Sequence, residues 1–200
     1  MDVQEQALDA TRLDNTCRIL NAAERLFKHY GYTKTNVADI ARDLSMSPAN
    51  IYRFFSSKAD IHHALAKRML EEAYVAAAAN AQRPVSATER LRDHVLQQHR
   101  MTLETMFSEK KVHEMVVVAM EQQWPVIQQH LERIRLLLAD LVRQGIAAGE
   151  FREQNADLAA ECFMSSSVML CHPQLIADAL LETRIGTPED LVEFALRAIR

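Results

Sequence analysis

One stretch constrains this chain more than any other: Val37-Ala-Asp-Ile-Ala-Arg-Asp-Leu-Ser-Met-Ser-Pro-Ala-Asn-Ile-Tyr-Arg-Phe-Phe-Ser-Ser-Lys58. Val37, Ile40, Ala41 and Leu44 mark one short helical pattern, and Ile51, Phe54 and Phe55 mark a second. The polar turn Ser45-Met46-Ser47 joins them. Two short helices across a tight turn are the sequence form of a helix-turn-helix, a unit that lays its second helix in the major groove of DNA.

The local chemistry supports each boundary. Asn36 is a good N-cap, with Asp39 adding negative charge in the first turn. Ser47 caps the next helix, and Pro48 sits at its first position, where a missing N–H costs nothing. Upstream, Ile19, Leu20, Ala23, Leu26, Phe27 and Tyr30 recur at three and four residues, which predicts a helix from Asn15 to Tyr30 ended by Gly31. Ser56 or Ser57 opens a fourth helix at Lys58 that runs to about Ala81. Gln82-Arg83-Pro84 is the clearest break, and the domain division falls within that helix or at its end, giving residues 1–60 and 61–200.

Beyond the break, helices are expected over Thr88–Phe107, Glu109–Gln123, Pro125 to near Gly149, Asp157–Leu170, about Gln174–Leu181, and from the start signal Thr187-Pro188-Glu189-Asp190 to the end. Ile127, Leu131, Ile134, Leu138 and Leu141 form a long core stripe, and Asp157–Leu170 is apolar on nearly every side, so it is expected to be buried between two partners. Gly and Pro are scarce, at 4 and 5, and alternating Val/Ile/Thr runs are absent. The fold class is all-α: an N-terminal three-helix DNA-binding unit followed by a helical body.

Composition narrows the setting. No apolar stretch is long enough to span a bilayer, and Met1–Asp14 lacks the apolar centre of a signal peptide, so a cytoplasmic protein is expected. Cys17, Cys162 and Cys171 lie in helical patterns without metal-type spacing and read as small buried hydrophobes. Net charge is −4, yet the segment from Arg12 to Asp60 is mildly basic. A basic head on an acidic body suits a DNA reader whose body should not adhere to phosphate.

Gly31-Tyr32, Thr35-Asn36-Val37, Ile40-Ala41, Ser47, Ile51-Tyr52, Phe55 and Lys58 together resemble the N-terminal signature of TetR-family transcriptional regulators. The match covers about a quarter of the chain. Two positions depart from it: Ser45-Met46 stands where Gly-Val is usual, and Ala59 where an acid usually follows the lysine. The first departure asks a non-glycine residue to make the turn. The resemblance implies a homodimer whose first helices bind DNA, whose body encloses an effector pocket, and whose last two long helices form the dimer interface.

Physical chemistry assigns candidate roles on the same face. Thr35, Ser47 and Tyr52, with the free N–H groups around Asn36 and Pro48, are candidates for phosphate oxygens, and Lys58 for a backbone charge contact. Ala49, Asn50 and Arg53 lie where base edges would be: Asn pairs with adenine, Arg with guanine, and Ala touches a thymine methyl, although for Arg53 a phosphate contact is the favoured reading over a base contact or a solvated charge. In the body, Met101, Phe107, Met120, Trp124 and Phe163 are candidates for the wall of an apolar effector cavity, although core packing is the usual fate of such residues. Glu104, Glu114 and Glu121 suit a cationic effector, but solvated surface charge is their commoner fate.

His94, His99, His113, His130 and His172 form no ligand set with metal spacing. There is no P-loop, glycine-rich phosphate turn or nucleophile–base spacing, so neither an enzyme nor a cofactor is expected. The expected partners are a double-stranded palindromic operator, a second copy of the chain and a small apolar effector that releases a repressor. A DNA binder controlled by a protein partner is the alternative.

Overall fold

The computed structural model describes residues 3–108, 125–179 and 186–200, with side chains over 11–104, 125–179 and 186–200. Helices and their connections account for all of the described residues, with no strand among them. In chain order these are α1 (Val3–Tyr30), α2 (Val37–Asp43), α3 (Pro48–Tyr52), α4 (Lys58–Ala81), α5 (Ala87–Ser108), α6 (Pro125–Ala147), α7 (Ala156–Ser166), α8 (Val168–Cys171), α9 (Pro173–Ala179) and α10 (Pro188–Ile199). The expected helix Glu109–Gln123 and residues 180–185 lie outside the described residues.

The chain divides into two compact units between Arg68 and Met69, within α4. In the first unit, α1 contributes Ile19, Leu20, Ala22, Ala23 and Phe27 to a core shared with Val37, Ile40, Ala41 and Ile51. Ile61 and Leu65 of α4 are fully enclosed in the same core, which is why this unit extends past residue 60. Arg68 closes it, donating to Asn21 Oδ1 at 2.7 Å and to Glu24 Oε2 at 2.5 Å on α1.

α1 begins twelve residues earlier than the Asn15 start expected from sequence. Asn15 is no cap: its side-chain oxygen accepts from Arg18 one turn on, and the Thr16 hydroxyl bonds back to the Arg12 carbonyl. The preceding residues contain no Gly or Pro to stop the helix. Tyr30, expected in the apolar stripe, is half exposed at 52 %.

The second unit packs α5, α6, α7 and α10 around Leu91, Val95, Leu138, Leu141, Val142, Ala160, Phe163, Val192 and Leu196, with Ala77 and Ala81 from the end of α4. Leu131 is 45 % exposed, so the buried stripe of α6 starts only at Ile134. The expected helix Asp157–Leu170 breaks at Ser167, whose φ of −97° and ψ of 0° end α7. Serines in a row weaken a helix by offering the backbone other partners, and the Ser166 hydroxyl takes the Cys162 carbonyl at 2.8 Å.

Nor is that segment buried on all sides. Ala159, Phe163 and Leu170 are buried, while Leu158 is 59 % and Val168 40 % exposed. Cys17 and Cys162 are exposed and Cys171 only partly covered, contrary to the reading of all three as buried hydrophobes.

One tight corner joins α6 to α7. The backbone of Glu150 returns to the Gly145 carbonyl at 2.8 Å, and Gly149 takes a positive φ of 73°. A Cβ on Gly145 would lie 2.2 Å from the Phe151 ring, so only glycine lets that ring fold back on the helix. The Glu150 carboxylate accepts the backbone N–H groups of Ala87 and Thr88 at 2.9 Å each, capping α5. Burial raises the Glu150 pKa, but these two bonds outweigh it and hold the carboxyl below its ordinary value.

Candidate nucleic-acid interface and effector region

The reading head is assembled by caps. Asn36 and Asp39 form a reciprocal capping box: Asn36 Oδ1 accepts from the Asp39 N–H at 2.9 Å, and Asp39 Oδ2 from the Asn36 N–H at 3.0 Å. The turn then needs a left-handed residue. Ser45 supplies it with φ of 55°, and Met46 N–H reaches back to the Ala41 carbonyl at 2.8 Å. Ser47 Oγ accepts from the Asn50 N–H at 3.2 Å, with Pro48 in the first turn of α3.

These joints fix what α3 presents outward. Ala49 and Arg53 are exposed, Tyr52 is 52 % exposed, and Asn50 is half-buried. Ile51 is fully buried beneath them. The exposed side chains of Arg53 and Lys34 pair with no acid among the described residues, whereas Arg25, Lys28 and Arg42 are each bridged to a carboxylate. Lys34 was not singled out from sequence; its place in the short link between α1 and α2 was the available signal.

Two candidates face the other way. Thr35 is 2 % exposed, and its hydroxyl donates to the Gly31 carbonyl at 2.9 Å, so it cannot reach a phosphate. Lys58 Nζ donates to the carbonyls of Tyr32 and Thr35 at 3.0 Å each and lies 4.3 Å from the centre of the Tyr32 ring. Lysine and threonine thus clamp the loop between α1 and α2 onto the start of α4.

In the second unit, Met101 is half-buried on α5 and Phe163 is 2 % exposed within the core. The Phe107 side chain, Met120 and Trp124 lie outside the described residues, as do Glu114 and Glu121. The described residues of this unit also bury polar groups. His94 and Thr102 of α5 are 8 % and 7 % exposed. His130 Nδ1 on α6 and Ser167 Oγ at the end of α7 are buried without a hydrogen-bond partner among the described residues. Burial, with the neighbouring His130, lowers the His94 pKa to about 4, so the ring is neutral at ordinary pH. His130 is lowered too, by burial and then by Arg133, with Glu71 opposing. No group of three or more His, Cys, Asp or Glu gathers to hold a metal among the described residues.

The family models match both units. Residues 19–65 match the bacterial regulatory proteins of the tetR family, and residues 87–192, over half of the chain, match the tetracyclin repressor-like C-terminal domain.

The chain belongs to the TetR family.

Its helix-turn-helix is therefore that of a DNA-binding transcriptional regulator, not of an enzyme. Solved structures share the TetR fold. A TetR/AcrR-family regulator from Thermobifida fusca is 21 % identical, with a TM-score of 0.68 covering 92 % of this chain and 95 % of its own. FadR of Bacillus subtilis, solved with stearoyl-CoA, is 18 % identical with a TM-score of 0.64, over 92 % and 99 %. RolR, solved with resorcinol, is 16 % identical with a TM-score of 0.63, over 96 % and 90 %. No curated protein matches the sequence. No helix among the described residues is long and apolar enough to cross a membrane.

Proposed function

We propose that this TetR-family regulator is a cytoplasmic repressor that binds a palindromic operator as a homodimer and leaves it when a small effector enters the body. The carrying observation is the row of exposed Ala49 and Tyr52, half-buried Asn50 and the C-cap Arg53 on an α3 locked at both ends by capping hydrogen bonds. A helix held this way presents base-reading side chains without first having to order them. Ser47, Tyr52 and Lys34 provide phosphate contacts, with Arg53 as a further one beside the base contact of Asn50. Thr35 and Lys58 act behind the face, by holding its loop.

The dimer reading rests on α7 and α10, which pack together in the second unit. Leu158 and Cys162 on the first, and Leu191 and Phe194 on the second, are exposed apolar or thiol side chains, Phe194 at 75 %. A twofold, self-complementary contact through them is the commonest solution for such a surface. The effector reading keeps an apolar body for the ligand and adds one hydrogen-bonding group, to satisfy His130 Nδ1 and Ser167 Oγ. Stearoyl-CoA and resorcinol, bound by the similar regulators, each combine apolar and polar parts.

Mapping of bound DNA across the genome, followed by gel-shift with the recovered sites, tests the reading. Asn50→Ala should change which sequence is preferred, by about 1–3 kcal/mol at one base position. Arg53→Ala should weaken binding to the preferred site. Recovery of no palindromic sites, or a stable monomer at micromolar concentration, refutes the dimeric repressor. Operator release by a protein partner, with no response to small molecules, would favour the partner-controlled alternative.

A further inference from the structure

A groove of about 440 Å³ opens along α4 and α5. Ala76, Ala79 and Asn80 of α4 line it, with Arg83 just past the end of that helix, and Asp93, Gln97 and Arg100 of α5. Ala76 and Asn80 are four residues apart on α4, and Asp93, Gln97 and Arg100 recur at four and three on α5, so each set shares a face. The alanine methyls leave an open apolar strip, and the polar groups stand beside it. The volume lies within the usual range for small-molecule sites.

The polar side is built. Asn80 is 5 % exposed; its amide nitrogen donates to the Arg90 carbonyl at 2.7 Å, and its oxygen accepts from Arg83 Nη1 at 3.2 Å. Arg83 is also paired with the Asp93 carboxylate. Its guanidinium is therefore held in place. Arg100 is exposed and has no hydrogen bond or ion pair among the described residues, and the Gln97 amide one turn before it has none either. Two guanidinium groups against one carboxylate leave the groove with one uncompensated positive charge.

We propose that this groove is a binding site for a small monoanionic carboxylate with a compact apolar body. The carboxylate accepts from Arg100 and the Gln97 amide, and the apolar part lies over Ala76 and Ala79. Arg83, already bound by Asp93, completes the positive rim. A single negative charge balances the site, while a neutral analogue forfeits the charge-assisted bonds.

Calorimetric titration of the full chain with benzoate, and with benzamide as its neutral counterpart, tests this. Benzoate should bind, and benzamide at least about tenfold more weakly, the difference expected of a hydrogen bond to a charged group. Arg100→Gln, a surface change with no partner to disturb, should lose a comparable factor while its melting curve stays that of the parent. Asp93→Asn should tighten benzoate, because the carboxylate competing for Arg83 is gone. Equal binding of benzoate and benzamide, unchanged benzoate affinity in Arg100→Gln, or absence of benzoate binding at millimolar concentration overturns the proposal. Operator binding by the same samples, measured in parallel, reports on the regulatory reading separately.

Discussion

The two units use polar side chains differently. In the first, those at the joints are tied to backbone, Asn36 and Ser47 to helix N–H groups and Thr35 and Lys58 to loop carbonyls, while the buried His62 ring lies against the rings of Phe27 and Tyr32. In the second, His94, Thr102 and His130 lie along long helices, and His130 Nδ1 and Ser167 Oγ have no partner among the described residues. Joints tied to backbone fix a shape, which a surface that reads DNA requires. Unmatched polar atoms inside a core cost free energy, so their presence supports a site that something else completes.

The largest test of this contrast compares cavities. Phe27→Ala and Phe163→Ala remove fully enclosed rings from the first and second cores, and each should cost about 3–5 kcal/mol. Denaturant unfolding measures both. A loss well below that range for Phe27→Ala would mean the first core is looser than its joints imply.

Acid should distinguish the units next. His94 is held neutral in the fold, with its pKa near 4 against 6.5 when free. Between those values the unfolded chain binds a proton that the folded chain refuses. Its contribution is therefore complete above pH 6.5 and declines as pH falls toward 4, by roughly 3 kcal/mol at most. Thermal melts over that interval should show the decline, and His94→Leu should flatten it. An equally steep decline in His94→Leu would assign the acid sensitivity elsewhere.

A smaller effect sharpens the account of the joints. Ser47→Ala removes the cap of α3 and should cost about 1 kcal/mol, with operator affinity falling as the helix start loosens. Unaltered stability and DNA binding in that variant would show that Pro48 suffices to start the helix. The smallest effect is a gain: Ser45→Gly relieves a left-handed serine and should add up to about 1 kcal/mol, visible as a raised melting temperature. A lower melting temperature would show that glycine's freedom in the unfolded chain outweighs the relief.

What could be read from sequence follows the same divide. Caps, turns and helix-start prolines act within a few residues, and Asn36, Ser47, Pro48 and Thr187 all do what their local pattern implies. The sequence also separates Leu158, Cys162 and Met169 from Ala159, Phe163 and Leu170 by face, and only the second set is fully buried. Thr35 and Lys58 were not legible, because a polar residue in a loop looks solvated until the chain brings a distant carbonyl to it. Leu131 misled for a related reason: periodicity gives the inward face of a helix but not where along its length cover ends. The bond-forming competition at Ser165–Ser167 was visible as composition, yet its outcome, a break at Ser167, depends on φ and ψ.

The corner at Gly145 bears on how the chain reaches its fold. Gly145 and Phe151 are a few residues apart, so bringing them together costs little loop-closure entropy. The helices on either side, α6 and α7, are sequence neighbours, while α10 joins the same core from far along the chain. Local pairings of this kind form quickly, and distant ones wait for them. The α6–α7 hairpin is thus the natural nucleus of the second unit, with α10 docking late. Gly145→Ala should then slow refolding, whereas a change in α10 such as Leu196→Ala should act mainly by speeding unfolding, a division that stopped-flow chevron plots resolve.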